Sequence, residues 1–344
     1  MSVAEGSKAE TSQNGGAVGK GWTVADIPSQ AGRRVLITGA NSGIGYYAAL
    51  ELARKGAHVL VGCRDTAKGD DALARLRREV PGASAEVVVI DLASLKSICT
   101  FVGSELDLGV PLDLLINNAG VMAPKKRLQT KDGFEIQFGT NVLGHFALTA
   151  LLMPALERAV AAGRQGPRVV TIASIAHKRG RLNFEDLQSK RSYRPMGAYQ
   201  QSKLADLMFA FELERRLRAA GPPASGIVSV AAHPGVANTN LFQVGEFNPI
   251  ERMVRRGFGA AIGSLLNTDA QGALPTLFAA TAAEAVGGGY YGPQGFQEMR
   301  GGDVGPAQVA PQARNEAAAE RLWSECERLT GMSLLELKSL RAGA

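Results

Sequence analysis

From Arg33 onward, the sequence alternates short apolar runs with longer segments whose apolar residues recur at helical spacing. This alternation predicts a parallel sheet covered by helices on both faces and joined by right-handed crossovers. About seven strands are predicted, over residues 35–37, 58–61, 86–90, 112–116, 168–172, 227–230 and 287–292. Helices are predicted over residues 44–55, 66–80, 95–106, 134–161, 198–219, 270–285 and 317–330. The fold class is therefore α/β, in a single domain.

The pattern also predicts how the chain is divided. Residues 1–21 are rich in Gly, Ser, Ala and Lys without an apolar run, which is typical of a disordered tail. Residues 22–310 form the predicted domain, with a substrate lid at about 240–270, where Gly, Arg and scattered apolar residues mix. A helical extension is predicted over residues 311–344.

A glycine-rich turn follows the first predicted strand and opens the first predicted helix. Its candidate binding residues are Gly39, Asn41, Ser42, Gly43, Ile44 and Gly45. Glycines allow a tight turn and a close backbone approach to a pyrophosphate, which the free amides of the helix N-terminus can hold. The alternative is an ordinary strand–helix turn, but the continuing β-α units favour dinucleotide binding in a Rossmann-type fold.

The end of the second strand bears on the choice between NAD and NADP. An NAD site usually places an acid there, whereas this chain has Cys63 followed by Arg64. A guanidinium can bind a 2′-phosphate through several donors, which favours NADP(H) over NAD. The alternative is a surface ion pair of Arg64 with Asp65 or Asp70.

Tyr199 and Lys203 lie one helical turn apart, so their side chains share one face of the predicted helix. A phenol has a reference pKa of about 10. A nearby ammonium favours the phenolate, which makes the phenol a better general acid and base at neutral pH. Alone, this spacing is common by chance, and it gains weight only beside the glycine turn.

Composition excludes several other classes of function. The 344 residues are 45% hydrophobic and 20% charged, and the net charge of +6 is spread along the chain without a basic arm. Nucleic acid is therefore not an expected partner. Three cysteines and four histidines at no ligand spacing indicate a reducing compartment and no metal site. The most apolar stretch, residues 142–160, contains charged residues and Pro154, so a buried helix is predicted rather than a membrane segment.

Together, these motifs resemble the short-chain dehydrogenase/reductase family over about residues 32–292. The matching residues are Thr38-Gly39-x3-Gly43-Ile44-Gly45, Asp91-Leu92, Asn117-Asn118-Ala119-Gly120, Asn141, Ser174, Tyr199-x3-Lys203 and Pro234-Gly235. Cys63-Arg64-Asp65, Ser174-Ile175-Ala176-His177 and His233-Pro234-Gly235 are most similar to its retinol-dehydrogenase-like and translocon-associated members.

The resemblance implies a role for each motif. The catalytic residues would be Asn141, Ser174, Tyr199 and Lys203, with Asn141 extending a proton relay through a water. Cofactor-binding residues would be the glycine turn, Arg64, Asp91, Leu92, Asn118, Ala119, Gly120, Tyr199, Lys203, Pro234, Gly235, Val236 and Thr239. Two alternatives stay open at this point: Asp91 can cap a turn ahead of Ser94, and Asn141 can serve packing alone. Twenty-five positions separate Ser174 from Tyr199, so the loop over 177–196 must fold to bring their hydroxyls together.

The expected activity is NADP(H)-dependent interconversion of a carbonyl and an alcohol. The alternative is an NADP(H)-binding, redox-sensing protein with little turnover. Apolar residues in the loop over 241–266 suit a hydrophobic substrate, or else a lid that packs on its own body. A cytoplasmic location is expected, and family members often pair through the helices near Asn141 and Tyr199, so both a homodimer and a monomer are compatible with the sequence.

Overall fold

Eight strands form one sheet in the order β3-β2-β1-β4-β5-β6-β7-β8. The structure is a computed structural model and describes residues 21–164, 166–236 and 267–333. The strands are β1 Arg34–Thr38, β2 His58–Cys63, β3 Ala85–Val89, β4 Leu114–Asn117, β5 Arg168–Ile172, β6 Val228–Ala232, β7 Tyr290–Pro293 and β8 Val304–Pro306. Strands β1 to β7 pair in parallel, and β8 pairs antiparallel with β7. The predicted single α/β domain with a doubly wound sheet is confirmed.

Helices cover both faces of this sheet. They are α1 Gly43–Arg54, α2 Thr66–Glu79, α3 Leu95–Asp107, α4 Gly144–Ala161, α5 Pro195–Ala219, α6 Asp269–Thr281 and α7 Glu316–Thr330. One core cluster joins the sheet to α3, α4, α5 and α7, and the other joins it to α1, α2 and α6. Because both faces are buried, the central strands are continuously apolar, as the sequence pattern shows.

The C-terminal helix α7 contributes directly to the first core cluster. Trp323 is only 2% exposed and packs between Phe146 of α4 and Phe209 of α5, at ring-centroid distances of 5.1 and 5.8 Å. The described part of the predicted extension is therefore packed into the domain. Residues 1–20, and residues 334–344 of the extension, lie outside the described part of the chain, as does most of the predicted lid.

One described helix, Phe138–Ala161, is long and apolar enough to cross a membrane by length and composition. In the structure, 89% of its most apolar window is buried inside the protein. A core helix meets the same criteria, so length and composition are weak evidence for a membrane segment. A cytoplasmic location stays a prediction; all three cysteines are free thiols.

The structure differs from the predicted elements in two places that border the site. The eighth strand, β8, was not predicted, because its three residues include a glycine and a proline and show no apolar alternation. The predicted helix start at Phe134 is too early, since Glu135 forms an isolated bridge with Gln129. A π-helical segment, Phe138–Leu143, then leads into α4.

Candidate active site

The glycine turn connects β1 to α1 at the carboxyl edge of the sheet. Gly39 has a φ of +67°, and the amides of Gly39 and Ala40 donate to the Gly62 carbonyl at 2.7 and 3.2 Å. Ser42 precedes α1 without capping it through its side chain. The first-turn amides of α1 are thus not capped by the Ser42 hydroxyl and face the crevice, as a phosphate site requires.

Gly45 lies where α1 comes closest to the neighbouring strand ends. A Cβ on this residue would lie 2.5 Å from Asn118 Nδ2 and 2.6 Å from the Gly39 carbonyl oxygen. Only glycine therefore fits without a shift of the turn.

We predict that Gly45→Ala weakens NADPH binding about tenfold or more, since overpacking costs about 1–3 kcal/mol and displaces the turn. Isothermal titration of NADPH would measure this effect. Gly103→Ala is the matched control, because a Cβ at Gly103 in α3 meets nothing within 4 Å. Equal affinities for the two variants would contradict a role for the turn in binding.

Thr38 ties the glycine turn to the end of β4. Its hydroxyl oxygen accepts from the amides of Asn118 and Ala119 at 2.9 and 3.0 Å. In return, Asn118 Nδ2 donates to the Thr38 carbonyl at 2.7 Å. The Asn118 side chain therefore holds the ends of β1 and β4 together, and both ends line the cavity.

At the end of β2, the carboxylate of Asp65 is a helix cap. It accepts from the Lys68 amide at 3.2 Å and thereby begins α2. Among the described residues, neither Asp65 nor Asp70 forms an ion pair with Arg64, so the alternative surface pairing is not observed. Arg64 is exposed and lines the cavity.

Three basic residues of α2 that the motifs did not single out line the same cavity: Lys68, Arg75 and Arg78. Their spacing of seven and three positions keeps them near one helical face, which is the signal that would have identified them. Arg75 also lies over the Tyr46 ring, 3.3 Å from its centroid. This end of the cavity is therefore positively charged, although Asp65 and Asp71 also line it.

Asp91 shapes the turn after β3. Its carboxylate accepts from the Ala93 amide at 3.1 Å and pairs with the Lys131 ammonium at 2.9 Å. Asp91 and Leu92 both line the cavity, so capping of the local turn and contact with a ligand are compatible.

Tyr199 and Lys203 lie on α5, and Ser174 lies two residues after the end of β5; all three line the cavity. The Ser174 hydroxyl accepts from the Ala176 amide at 3.1 Å, which leaves its own hydrogen free to donate. Lys203 donates to the Ile172 carbonyl at 2.8 Å and to Asp206 Oδ2 at 2.9 Å. A hydroxyl donor, a phenol and an ammonium thus meet in one crevice.

The loop between Ser174 and Tyr199 is held against α5 by Gln201. Its Oε1 accepts from the Asn183 amide at 2.9 Å, and its Nε2 donates to the Leu187 carbonyl at 3.0 Å. Leu187 is buried in the core. The loop therefore folds back onto α5, as the long spacing requires.

Asn141 lies in the π-helical segment and is fully buried, behind the cavity wall. Its Oδ1 accepts from the Val121 amide at 2.8 Å, and its Nδ2 donates to the Val121 carbonyl and to Ser202 Oγ at 3.0 and 2.9 Å. Its own carbonyl lies 2.8 Å from His145 Nδ1. Asn141 does not line the cavity, and its side chain fixes the segment after β4 against α5.

Pro234, Gly235 and Val236, which the motifs predict to contact the nicotinamide, line the cavity. The Val236 amide donates to the Met299 carbonyl at 2.7 Å, which attaches this turn to the segment after β7. Thr239 lies outside the described residues. Ile175, Lys178, Arg179, Met196, Gln297, Met299 and Gln308 line the adjacent end, and the motifs did not identify them.

The described cavity has a volume of about 1590 Å³, larger than the usual range of about 300–1,000 Å³ for a single small ligand. Its length runs from the basic face of α2, past the glycine turn, to Ser174 and Tyr199. A dinucleotide and a substrate placed end to end fit this size and this order of groups, and the uncapped amides of α1 fit a pyrophosphate.

Buried histidines near the cavity are neutral. Burial lowers the pKa of His145 and of His233 to about 3. His233 is fully buried, and its Nδ1 accepts from the Gly235 amide at 3.2 Å. In the described ranges, no group of three or more His, Cys, Asp or Glu side chains is arranged to hold a metal ion.

Comparison with known proteins agrees with this geometry. Residues 33–246 match the short chain dehydrogenase family model. Polyprenol dehydrogenase from Mus musculus is 40% identical over 89% of this chain and 86% of its own length, and retinol dehydrogenase 14 from Homo sapiens is 37% identical over 88% and 87%. The crystal structure of an uncharacterized protein from Mycobacterium paratuberculosis is 41% identical, with a TM-score of 0.72 over 91% of this chain and 98% of that one.

These matches confirm the resemblance that the motifs indicate. The chain belongs to the short-chain dehydrogenase/reductase family and is similar to its retinol dehydrogenases.

Proposed function

We propose that the protein is an NADP(H)-dependent reductase of hydrophobic aldehydes or ketones, in which Tyr199 is the general acid and base. Its family establishes the general reaction, which is oxidoreduction between an alcohol and a carbonyl group with a nicotinamide dinucleotide. The observation that carries the proposal is the shared cavity: Ser174, Tyr199 and Lys203 line the same crevice as the glycine turn.

Different parts of the crevice would hold different parts of the dinucleotide. The glycine turn and the first amides of α1 would hold the pyrophosphate, Asp91 and Leu92 would contact the adenine, and residues 234–236 would hold the nicotinamide. When bound, the dinucleotide supplies the hydride at C4 of the nicotinamide.

Two side chains act on the substrate oxygen, and a third acts on one of these two. Ser174 donates its hydroxyl hydrogen to the carbonyl oxygen and orients it. Tyr199 then passes its phenolic proton to that oxygen as negative charge develops, and it accepts a proton in the reverse reaction. Lys203 supplies a positive charge that favours the phenolate left behind.

Preference for NADP(H) is proposed from the basic end of the cavity. Arg64 and Lys68 line it where a 2′-phosphate would lie, and the Asp65 carboxylate is occupied by the α2 N-terminus. Asp65 also lines this end, but it lies two positions after β2 and one of its carboxylate oxygens caps α2, which favours a 2′-phosphate over a 2′-hydroxyl.

We expect Arg64→Ala to raise the KM for NADPH about tenfold, because one charge-assisted contact to the phosphate is lost. The KM for NADH should change little, and steady-state kinetics with both cofactors measure the difference. Arg77→Ala is the matched control, since Arg77 lies on α2 but donates to the Ala85 carbonyl and does not line the cavity. Equal effects on both cofactors would argue against a 2′-phosphate site.

A hydrophobic substrate is supported by the side chains beside Ser174 and by the named relatives. Ile175, Met196 and Met299 give this end of the cavity its apolar surface, beside the polar side chains of Lys178, Arg179, Gln297 and Gln308. The relatives are named for retinol and polyprenol, which are both long, apolar primary alcohols. The matching substrate class here would be long-chain or polyene aldehydes.

Oxidation of NADPH in the presence of a carbonyl panel tests the function. The panel would contain retinal, a polyprenal, short aliphatic and aromatic aldehydes, and cyclic ketones, with NADH assayed in parallel. The proposal expects the highest kcat/KM for the long apolar aldehydes with NADPH. Tight NADPH binding without turnover of any compound would instead favour a redox-sensing protein.

A further inference from the structure

Lys203 shares its buried site with a carboxylate that no motif identified. Asp206 lies three residues further along α5, and its Oδ2 is 2.9 Å from Lys203 Nζ. Both residues are nearly inaccessible, with exposed fractions of 5% for Lys203 and 3% for Asp206. Lys203 Nζ also donates to the Ile172 carbonyl of β5 at 2.8 Å. Two of the three ammonium hydrogens are thus directed away from the cavity, which leaves one for it.

We propose that Asp206 is a positioning residue of the reaction: its carboxylate fixes the Lys203 ammonium and sets the pH range in which Tyr199 passes its proton. The inference rests on the proposed function of Tyr199 and concerns a residue outside the cavity. Asp206 does not line the crevice and acts only through Lys203.

Among the described residues, no other acid or base forms an ion pair with Lys203 or Asp206. On α5 itself, Tyr199 interacts electrostatically with Lys203. From α4, His145 faces Lys203 and is neutral, since burial lowers its pKa to about 3. From α7, Cys326 faces Asp206, and burial with the nearby acidic side chains raises the pKa of its thiol, so it is neutral as well.

From β7, Tyr290 interacts with Tyr199, and burial raises the pKa of the Tyr290 phenol well above its ordinary value. His145, Cys326 and Tyr290 are therefore uncharged near neutral pH. Charged side chains also act on these neighbours: Glu298 on Tyr290, and Glu325 and Glu327 on Cys326, while Lys178 and Arg179 line the cavity with Tyr199. Among the described residues, Asp206 is the carboxylate that contacts the Lys203 ammonium.

The direction of the effect follows from charge. Burial lowers the pKa of Lys203, but Asp206 and Tyr199 raise it, and the net shift is upward. Burial raises the pKa of Asp206 to about 6, although Lys203 opposes this shift. Removing a negative charge favours the deprotonated form of every neighbouring group. Without Asp206, both the phenol and the ammonium should therefore lose their protons at lower pH.

The test is the pH profile of kcat for alcohol oxidation in Asp206→Asn, which keeps the shape and removes the charge. The rate rises as Tyr199 becomes phenolate and falls as Lys203 loses its charge, so the plot of kcat against pH is bell-shaped. The two apparent pKa values of this plot belong to the coupled pair and not to either residue alone. We expect both limbs to move to lower pH by about one unit. Asp206→Leu, which removes the charge with an apolar side chain, should shift the profile in the same direction.

Glu212→Gln is the matched control, because Glu212 is a buried carboxylate on the same helix that pairs with Arg215 and Arg216. Its profile should coincide with that of the wild type. A loss of rate in the Asp206 variants without any shift of the profile, or a shift to higher pH, overturns the inference and leaves Asp206 a structural residue.

A second readout separates this inference from the proposed function. A pH titration followed by near-ultraviolet absorbance detects phenolate without turnover. The signal of Tyr199 is the difference between a protein with Tyr199 and the same protein with Tyr199→Phe, measured once with Asp206 and once with Asp206→Asn. The phenolate should form at lower pH in Asp206→Asn than in wild type. If no carbonyl is reduced but this shift is present, only the proposed function fails; if carbonyls are reduced but the shift is absent, only the inference fails.

Discussion

Tyr199→Phe is expected to lower kcat for carbonyl reduction about 10²–10⁴-fold, because the proton donor is removed while the crevice keeps its shape. Tyr199 is only 6% exposed and lines the cavity beside Ser174. Among the described residues, the Tyr199 hydroxyl makes no hydrogen bond that the fold would lose, whereas the ring that packs in the wall is retained. Affinity for NADPH should therefore stay close to that of the wild type, and the loss should fall on kcat.

Single-turnover kinetics with NADPH and the best aldehyde of the panel measure this loss. Tyr47→Phe serves as the matched control: it removes a phenolic hydroxyl from α1 at a residue that does not line the cavity. Wild-type kcat in Tyr199→Phe would show that another group delivers the proton.

Trp323→Ala is expected to lower the free energy of unfolding by about 3–5 kcal/mol, the usual range for truncation of a buried aromatic side chain. The Trp323 ring is stacked on Phe209 and meets Phe146 edge-on, and the Arg216 guanidinium lies 4.4 Å from its centroid. Its Nε1 donates to Glu327 at 2.9 Å. A cavity at this point would loosen the packing of α7 on α4 and α5. Because α7 also covers Asp206, the loss would expose that side of the fold.

Urea unfolding followed by far-ultraviolet circular dichroism measures the difference. Phe296→Ala is the control, because Phe296 is 74% exposed and its truncation should change the free energy of unfolding by no more than about 0.5 kcal/mol. Similar stability of the two variants would mean that α7 is an appendage and not part of the core.

The layers of this fold were predictable because the strands are strongly patterned. Strands such as β1 and β5 are buried on both faces, so they are short, apolar and bounded by turns. The three-residue strand β8 was not predictable, since its position depends on pairing with β7 rather than on its own sequence. The π-helical segment before α4 was missed for a related reason: its helical periodicity resembles that of the helix it precedes.

Within the candidate site, sequence spacing identified the residues whose position follows from a strand end or a helix face. The glycine turn and the Tyr199–Lys203 pair are of this kind. Spacing did not show which side chains contact one another once the helices and strands pack together. Asp65 has the residue type of a ribose acceptor but caps α2, and Asp206 has the residue type of a surface acid but lies beneath α7. Only the fold shows which carboxylate is buried.

The transfer of deuterium from NADPH that carries two deuterium atoms at C4 of the nicotinamide tests the central claim most directly. With a long apolar aldehyde in ordinary water, the account predicts an alcohol that carries one deuterium on its carbinol carbon in wild type and only a trace of this product in Tyr199→Phe. An alcohol without deuterium, or equal amounts of labelled product from both proteins, would contradict it.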